Sequence, residues 1–121
     1  MSVFQHIAPD KILFQNSCFF IIKDSYPVSP GHLLIISIRP VIDFFQLNPS
    51  EQQNLSASIV AAKQIIEQTQ QPDGYNIGMN CGAAAGQTVL HFHCHVIPRY
   101  SGDMPNPRGG VRHCVAGKGD Y

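Results

Sequence analysis

The sequence predicts an α+β domain, an antiparallel sheet of about five strands with one long helix packed on it. Three observations predict it. Two apolar runs, Cys18–Ile22 and Leu33–Ile36, are short and bounded by turn-forming residues. One stretch after Asn48 carries apolar residues at helical spacing behind a capping signal. Two later segments, Tyr75–Met79 and Thr88–Ile97, alternate apolar and polar residues.

Each element follows from local chemistry. Lys11–Asn16 alternates and reads as a first short strand. Cys18–Ile22 is apolar and aromatic, ends at Lys23-Asp24-Ser25, and reads as a buried strand. Tyr26-Pro27-Val28-Ser29-Pro30-Gly31 is turn chemistry, because proline and glycine interrupt regular pairing. His32–Ile38 is then a central strand stopped by Arg39-Pro40, and the three strands form an antiparallel meander. Asn48 is a good N-cap, Pro49 suits the first helical position, and Glu51 completes a capping box. Leu55, Ile59, Ala62 and Ile66 put an apolar stripe on one face, and Pro72-Asp73-Gly74 is the expected end of the helix. Tyr75, Ile77 and Met79 alternate with Asn76, Gly78 and Asn80 as a half-buried strand. A small-residue loop, Cys81–Gly86, leads to the last strand, expected over Thr88–Ile97.

Composition narrows the function. A chain of 121 residues supports one core, so a single domain over 1–121 is expected. Within it, about 12–100 forms the core and 101–121 an irregular, basic tail. Eight basic residues balance eight acidic ones. A nucleic-acid partner or an anionic membrane surface is therefore not expected, whereas a small phosphorylated ligand in a local pocket is compatible. The apolar runs are too short to span a bilayer. Met1–His6 has neither a basic region nor a signal core. The four cysteines, Cys18, Cys81, Cys94 and Cys114, form no Cys-x-x-Cys pair. Reduced thiols in a cytoplasmic protein are expected.

The chemistry concentrates in Gly86-Gln87-Thr88-Val89-Leu90-His91-Phe92-His93-Cys94-His95-Val96-Ile97-Pro98-Arg99. Half of the six histidines fall within five residues. On a strand they share one face, while Leu90, Phe92, Cys94 and Val96 take the other. Such a row can be a polar strand face, a metal site or a nucleophilic centre. Along a strand His91 and His95 lie ~13 Å apart, too far for three rings to ligate one ion, though two of them with His32 could hold zinc. Nucleophilic catalysis would use one ring to attack and the others to orient it or to bind an anion.

His-x-His-x-His followed by two apolar residues, with Gly-Gln-Thr before it, resembles the histidine-triad (HIT) superfamily of nucleotide hydrolases and transferases. Asp24, then Pro30-Gly31-His32 before an apolar strand, resembles the upstream motif of that family. Asn80, eleven residues before His91, and Pro98-Arg99 match further positions. The resemblance covers about residues 12–100 and implies a HIT-like fold. It implies a homodimer and cleavage at the α-phosphate of a dinucleoside polyphosphate or nucleoside phosphoramidate, releasing a nucleoside monophosphate. His93 would form the nucleotidyl-histidine intermediate, its second nitrogen held by a main-chain carbonyl near His91. His95 would bind phosphate oxygens, with His91 and His32 as a supporting layer. Gln87 and Thr88 would face the phosphate and leaving group, and Asn80 a phosphate oxygen. Asp24 would hold the ribose, and Ile22 and Phe19 would line a base slot, although both apolar residues also suit a core.

Other features set limits. Gly82–Thr88 is not a Walker A loop, because Gln replaces Lys and the spacing is one residue short. No cluster of acids suggests an obligatory magnesium site, so magnesium would enter only with a polyphosphate substrate. The tail is either solvated surface or a loop that meets leaving-group phosphate through Arg108 or Arg112. The phosphoramidase branch of the resembled family carries a C-terminal tryptophan, and this chain has no Trp. Arg39-Pro40-Val41 resembles the branch that cleaves diadenosine polyphosphates. Two alternatives stand beside hydrolysis: a nucleotide-binding regulator with little turnover, and a zinc enzyme using His32 with two triad histidines.

Overall fold

Strands buried on both faces read as unbroken apolar runs, and the two central runs here have that burial. In the computed structural model, which describes residues 2–121, β1 (Phe14–Gln15), β2 (Phe19–Lys23), β3 (Leu33–Ser37), β4 (Gly74–Gly78) and β5 (His93–Arg99) form one sheet. Its spatial order is β1-β2-β3-β5-β4, with every neighbouring pair antiparallel. Ile21 pairs with Ile35 and Ile35 with Cys94, while Ile22 pairs with Leu34 and Leu34 with His95. Register therefore sorts the side chains. Phe19, Ile21, Leu33, Ile35, Cys94 and Val96 form one core with the helix α1 (Pro49–Ile66). Phe20, Ile22, Leu34 and Ile36 form a second cluster on the other face, joined by Phe4, Ile7 and Ile12. Each fully buried Ile or Phe contributes about 1.5–3 kcal/mol, so the two clusters dominate the stability of the sheet.

α1 starts as its sequence indicates. The Asn48 side chain accepts from Glu51 N–H (2.8 Å) and Glu51 Oε1 from Asn48 N–H (2.9 Å). Such a cap contributes about 1 kcal/mol. Leu55, Ala62 and Ile66 are buried against the sheet and Ile59 packs at its edge. Among the described residues no helix is long and apolar enough to cross a membrane.

Three boundaries differ from expectation. Pro9–Lys11 is a 3-10 turn and β1 keeps only Phe14–Gln15. The Asn16 carboxamide accepts from Cys18 N–H and Phe19 N–H, which turns the chain early into β2. α1 ends at Ile66, well before Pro72. Thr69 N–H and Gln70 N–H both fold back on the Ile66 carbonyl, and 67–69 are exposed with no apolar face to bury. β5 starts at His93 and ends at Arg99, not over Thr88–Ile97. Before His93 the chain follows another path: Phe92 N–H bonds the Val41 carbonyl, and the Gln87 amide bonds the carbonyls of Ile42 and Val89.

Candidate active site

β5 sends His93 and His95 to the face away from α1, and Cys94 and Val96 into the core beneath it. Burial pushes the Cys94 thiol up to about 12, so it remains a neutral packing group. The ring of His93 is held by its own chain: Nδ1 donates to the His91 carbonyl at 2.8 Å. A carbonyl can only accept. The proton therefore sits on Nδ1, and Nε2 keeps a free lone pair.

His95 is fixed by a longer relay. Val28 N–H donates to His32 Nδ1 (3.1 Å), which leaves the proton of the neutral His32 ring on Nε2. That Nε2–H donates to His95 Nδ1 at 2.9 Å, so the proton of His95 lies on Nε2. Burial lowers the pKa of both rings, His95 being lowered further by His32 and His93; Asp24 opposes the shift in each. Asp24 Oδ2 stands 3.3 Å from His32 Nε2 and 3.8 Å from His95 Nδ1, while Oδ1 accepts from Tyr26 N–H.

A cleft of about 380 Å³ opens over this group, lined by Ile22, Asp24, Leu34, Thr88, His93 and His95, with Phe4 and Ile7 closing its rim. Five of the expected site residues thus converge. His32 lies behind them, only 3% exposed. Asn80 stands apart, on a second cleft that adjoins His95.

His91 lies just before β5 and is buried beside His93 under Phe4, its Nε2–H donating to the Ser37 carbonyl (2.7 Å) and its Nδ1 accepting from Ser2 Oγ (2.6 Å). Three expectations are corrected. Phe19 alternates onto the α1 face and packs on Phe92, so it lines no base slot. Gln87 does not face the cleft: its amide braces the loop, accepting from Gly82 N–H and donating to the Ile42 and Val89 carbonyls. Arg108 pairs with Asp120, and both Arg108 and Arg112 stack on Tyr121, so neither guanidinium lines either cleft.

Ser2, Phe4 and Leu34 were not anticipated. Ser-x-x-Gln at Ser2–Gln5 is a capping-box pattern, and it forms the 3-10 turn (Val3–His6) that sets Phe4 edge-on against His91 and His93, with centroids 5.7 and 5.1 Å apart. Leu34 follows from pairing with Ile22.

Known proteins resemble this chain in sequence and fold. The profile of one family, the HIT domain, matches residues 5–102. The chain belongs to the HIT domain family. Over 93 residues this HIT chain is 32% identical to the AP-4-A phosphorylase of Mycobacterium tuberculosis, covering 76% of this chain and 48% of that protein. Over 78 residues it is 43% identical to the asymmetrical bis(5'-nucleosyl)-tetraphosphatase of Schizosaccharomyces pombe, covering 64% and 43% respectively. The chain spans about half the length of the curated relatives it matches. A Zn-bound histidine triad family protein from Mycobacterium smegmatis superposes with a TM-score of 0.72 at 32% identity, covering 82% of this chain and 72% of that one. The five-stranded antiparallel sheet with one packed helix is the fold of this HIT family.

Proposed function

We propose that the chain is a nucleotide hydrolase that cleaves a dinucleoside polyphosphate or a nucleoside phosphoramidate at the α-phosphate through a nucleotidyl-His93 intermediate. The observation that carries this reading is the His93 Nδ1–H bond to the His91 carbonyl, which leaves Nε2 as the free nucleophile. Nε2 forms the N–P bond as the bond from phosphorus to the leaving group breaks. His95 Nε2–H gives its proton to the leaving atom, then takes one back from the water that attacks phosphorus and frees the nucleoside monophosphate. Asp24 accepts from ribose hydroxyls, while Ile22 and Leu34 flank the base.

Relatives named for phosphorolysis and for hydrolysis support nucleotidyl transfer and differ in the final acceptor. Product analysis separates the two: water yields a monophosphate and inorganic phosphate a diphosphate.

No obligatory cofactor belongs to this reading. Asp24, His32 and His95 do bring three ligand-type atoms together. Their separations of 2.9, 3.3 and 3.8 Å bracket the roughly 3.4 Å edge of a tetrahedral zinc site. The donor set does not fit an ion, because Val28 N–H occupies His32 Nδ1 and forces the proton onto the very nitrogen a metal would need. His93 stands outside the group, so two triad histidines do not join His32. We extend the proposal to a homodimer, supported by the edge position of β4 and the exposure of Ile77 on it.

The test is turnover of adenosine phosphoramidate and diadenosine polyphosphates, with and without chelator. Wild-type turnover of adenosine phosphoramidate, which carries no polyphosphate, should survive chelation. His93→Ala should lose at least ~10³-fold in kcat while still binding nucleotide. If neither protein turns over any substrate yet both bind, the regulator reading replaces this one; loss of phosphoramidate turnover on chelation restores the zinc reading.

A further inference from the structure

We infer, resting on the proposed nucleotidyl transfer at His93, that Ser2 is a positioning residue for that ring. Its one hydroxyl pins both of the groups between which the His93 ring is held, the His91 carbonyl and the Phe4 side chain. The carbonyl takes His93 Nδ1–H at 2.8 Å, and the Phe4 ring stands edge-on to His93 with centroids 5.1 Å apart. Neither neighbour belongs to a strand. His91 lies just ahead of β5, and Phe4 sits in the 3-10 turn Val3–His6, no residue of which is buried.

Ser2 ties the two together. The Ser37 carbonyl holds the proton of the neutral His91 ring on Nε2, so Nδ1 can only accept. Ser2 Oγ donates to it at 2.6 Å, across 89 residues of sequence. A hydroxyl that has given its one proton still accepts, and Ser2 Oγ accepts from Phe4 N–H at 3.2 Å. One hydrogen bond leaves a ring free to swing about it; two, at its separate nitrogens, do not. The same oxygen therefore stops the His91 ring from turning and sets the start of the turn that carries Phe4.

Packing does not wedge this end of the turn in place. A cleft of about 460 Å³, lined by Ser2, Val3, Gln5, Pro40 and Leu90, lies beside it. The tasks divide accordingly. The His91 carbonyl decides which His93 nitrogen keeps its lone pair, and Ser2 decides how steadily that nitrogen is held. An attacking atom that must approach phosphorus along one line loses rate when its ring wanders.

The experiment compares Ser2→Ala, Ser2→Thr and Gln5→Ala with wild type on adenosine phosphoramidate and diadenosine tetraphosphate. Gln5→Ala removes the Gln5 half of the capping box, the bond from Ser2 N–H, and leaves the His91 bond in place. We expect Ser2→Ala to lose about tenfold in kcat with KM within about twofold of wild type. Ser2→Thr, which keeps the hydroxyl, should restore most of that loss, and Gln5→Ala should match wild type. A Ser2→Ala loss carried by KM overturns the inference, because the hydroxyl then only closes the rim of the cleft. An equal loss in Gln5→Ala overturns it as well, since capping the turn would then be the whole effect. So does a Ser2→Thr that restores nothing, or a Ser2→Ala with wild-type kinetics.

A second measurement needs no turnover. Nitrogen NMR of protein with isotopically labelled histidine should give one sharp set of His93 ring signals in wild type, protonated on Nδ1. In Ser2→Ala that set should broaden or split with the same tautomer, and Ser2→Thr should sharpen it again. If the His93 signals of Ser2→Ala superpose on those of wild type, the inference fails even where kcat has fallen. If they broaden while wild type turns over no substrate, the Ser2 tie stands and the proposed catalysis at His93 falls.

Discussion

His95 keeps its proton on Nε2 only while the neighbouring His32 ring donates to its other nitrogen, and that arrangement depends on both rings being neutral. Burial makes each harder to protonate in the fold than in the unfolded chain, whose ordinary value is 6.5. The unfolded chain therefore binds more protons as the pH falls past that value, and stability declines with it until the folded rings also titrate. Thermal unfolding should show a lower midpoint at about pH 5.5 than at about pH 7.5, and His32→Gln should flatten that dependence. At this scale the alternation of His93 and His95 was legible, because a two-residue period needs no tertiary information. The partners of His91 were not, since Ser37 and Ser2 reach it by a chain path outside the sheet. Gln87 misled for a related reason: a glutamine beside a histidine run suggests phosphate, but its amide satisfies carbonyls 2 and 45 residues away.

The same contrast holds for whole elements. The start of α1 could be read because a capping box is local, closing over three residues. Glu51 adds a contact no periodicity reveals: Arg39, at the exit of β3, donates to both its carboxylate oxygens at 2.8 and 3.2 Å. That fork holds the Glu51 carboxyl below the usual carboxylate range and ties the loop to the helix. The loop from 82 to 86 begins and ends on glycines with φ of +96° and +91°, and Gln87 is its only side-chain brace among the described residues. Replacing Gln87 by Ala strips the Gly82 N–H and two carbonyls of their partner. Denaturant unfolding should register a loss of about 1–3 kcal/mol, with a weaker effect on KM than on stability.

Across the whole molecule, the sheet is covered unequally. α1 covers one face along its length, while the other depends on Phe4, Ile7 and Ile12 from the N-terminal segment. Phe4 both packs on that cluster and touches the His93 ring, so Phe4→Ala should lower stability by about 1–3 kcal/mol and, on the proposed mechanism, reduce kcat, as chemical denaturation and steady-state kinetics would show. The proposed dimer makes a separate prediction: sedimentation should give twice the chain mass, and Ile77→Lys should return the monomer. The fold class was legible because apolar runs and one capped helix leave few ways to build two layers. The partition of apolar residues between two buried faces was not, since it follows from strand register.

One acceptor in this molecule lies beyond the reach of ordinary mutagenesis. The group that orients the His93 ring is the main-chain oxygen of His91, free for that task because regular pairing begins only at His93. No codon change deletes it, and it has no protonation state in the physiological range. The orientation of this ring is therefore written into the course of the backbone, and drift in surrounding side chains leaves unchanged which nitrogen keeps its lone pair.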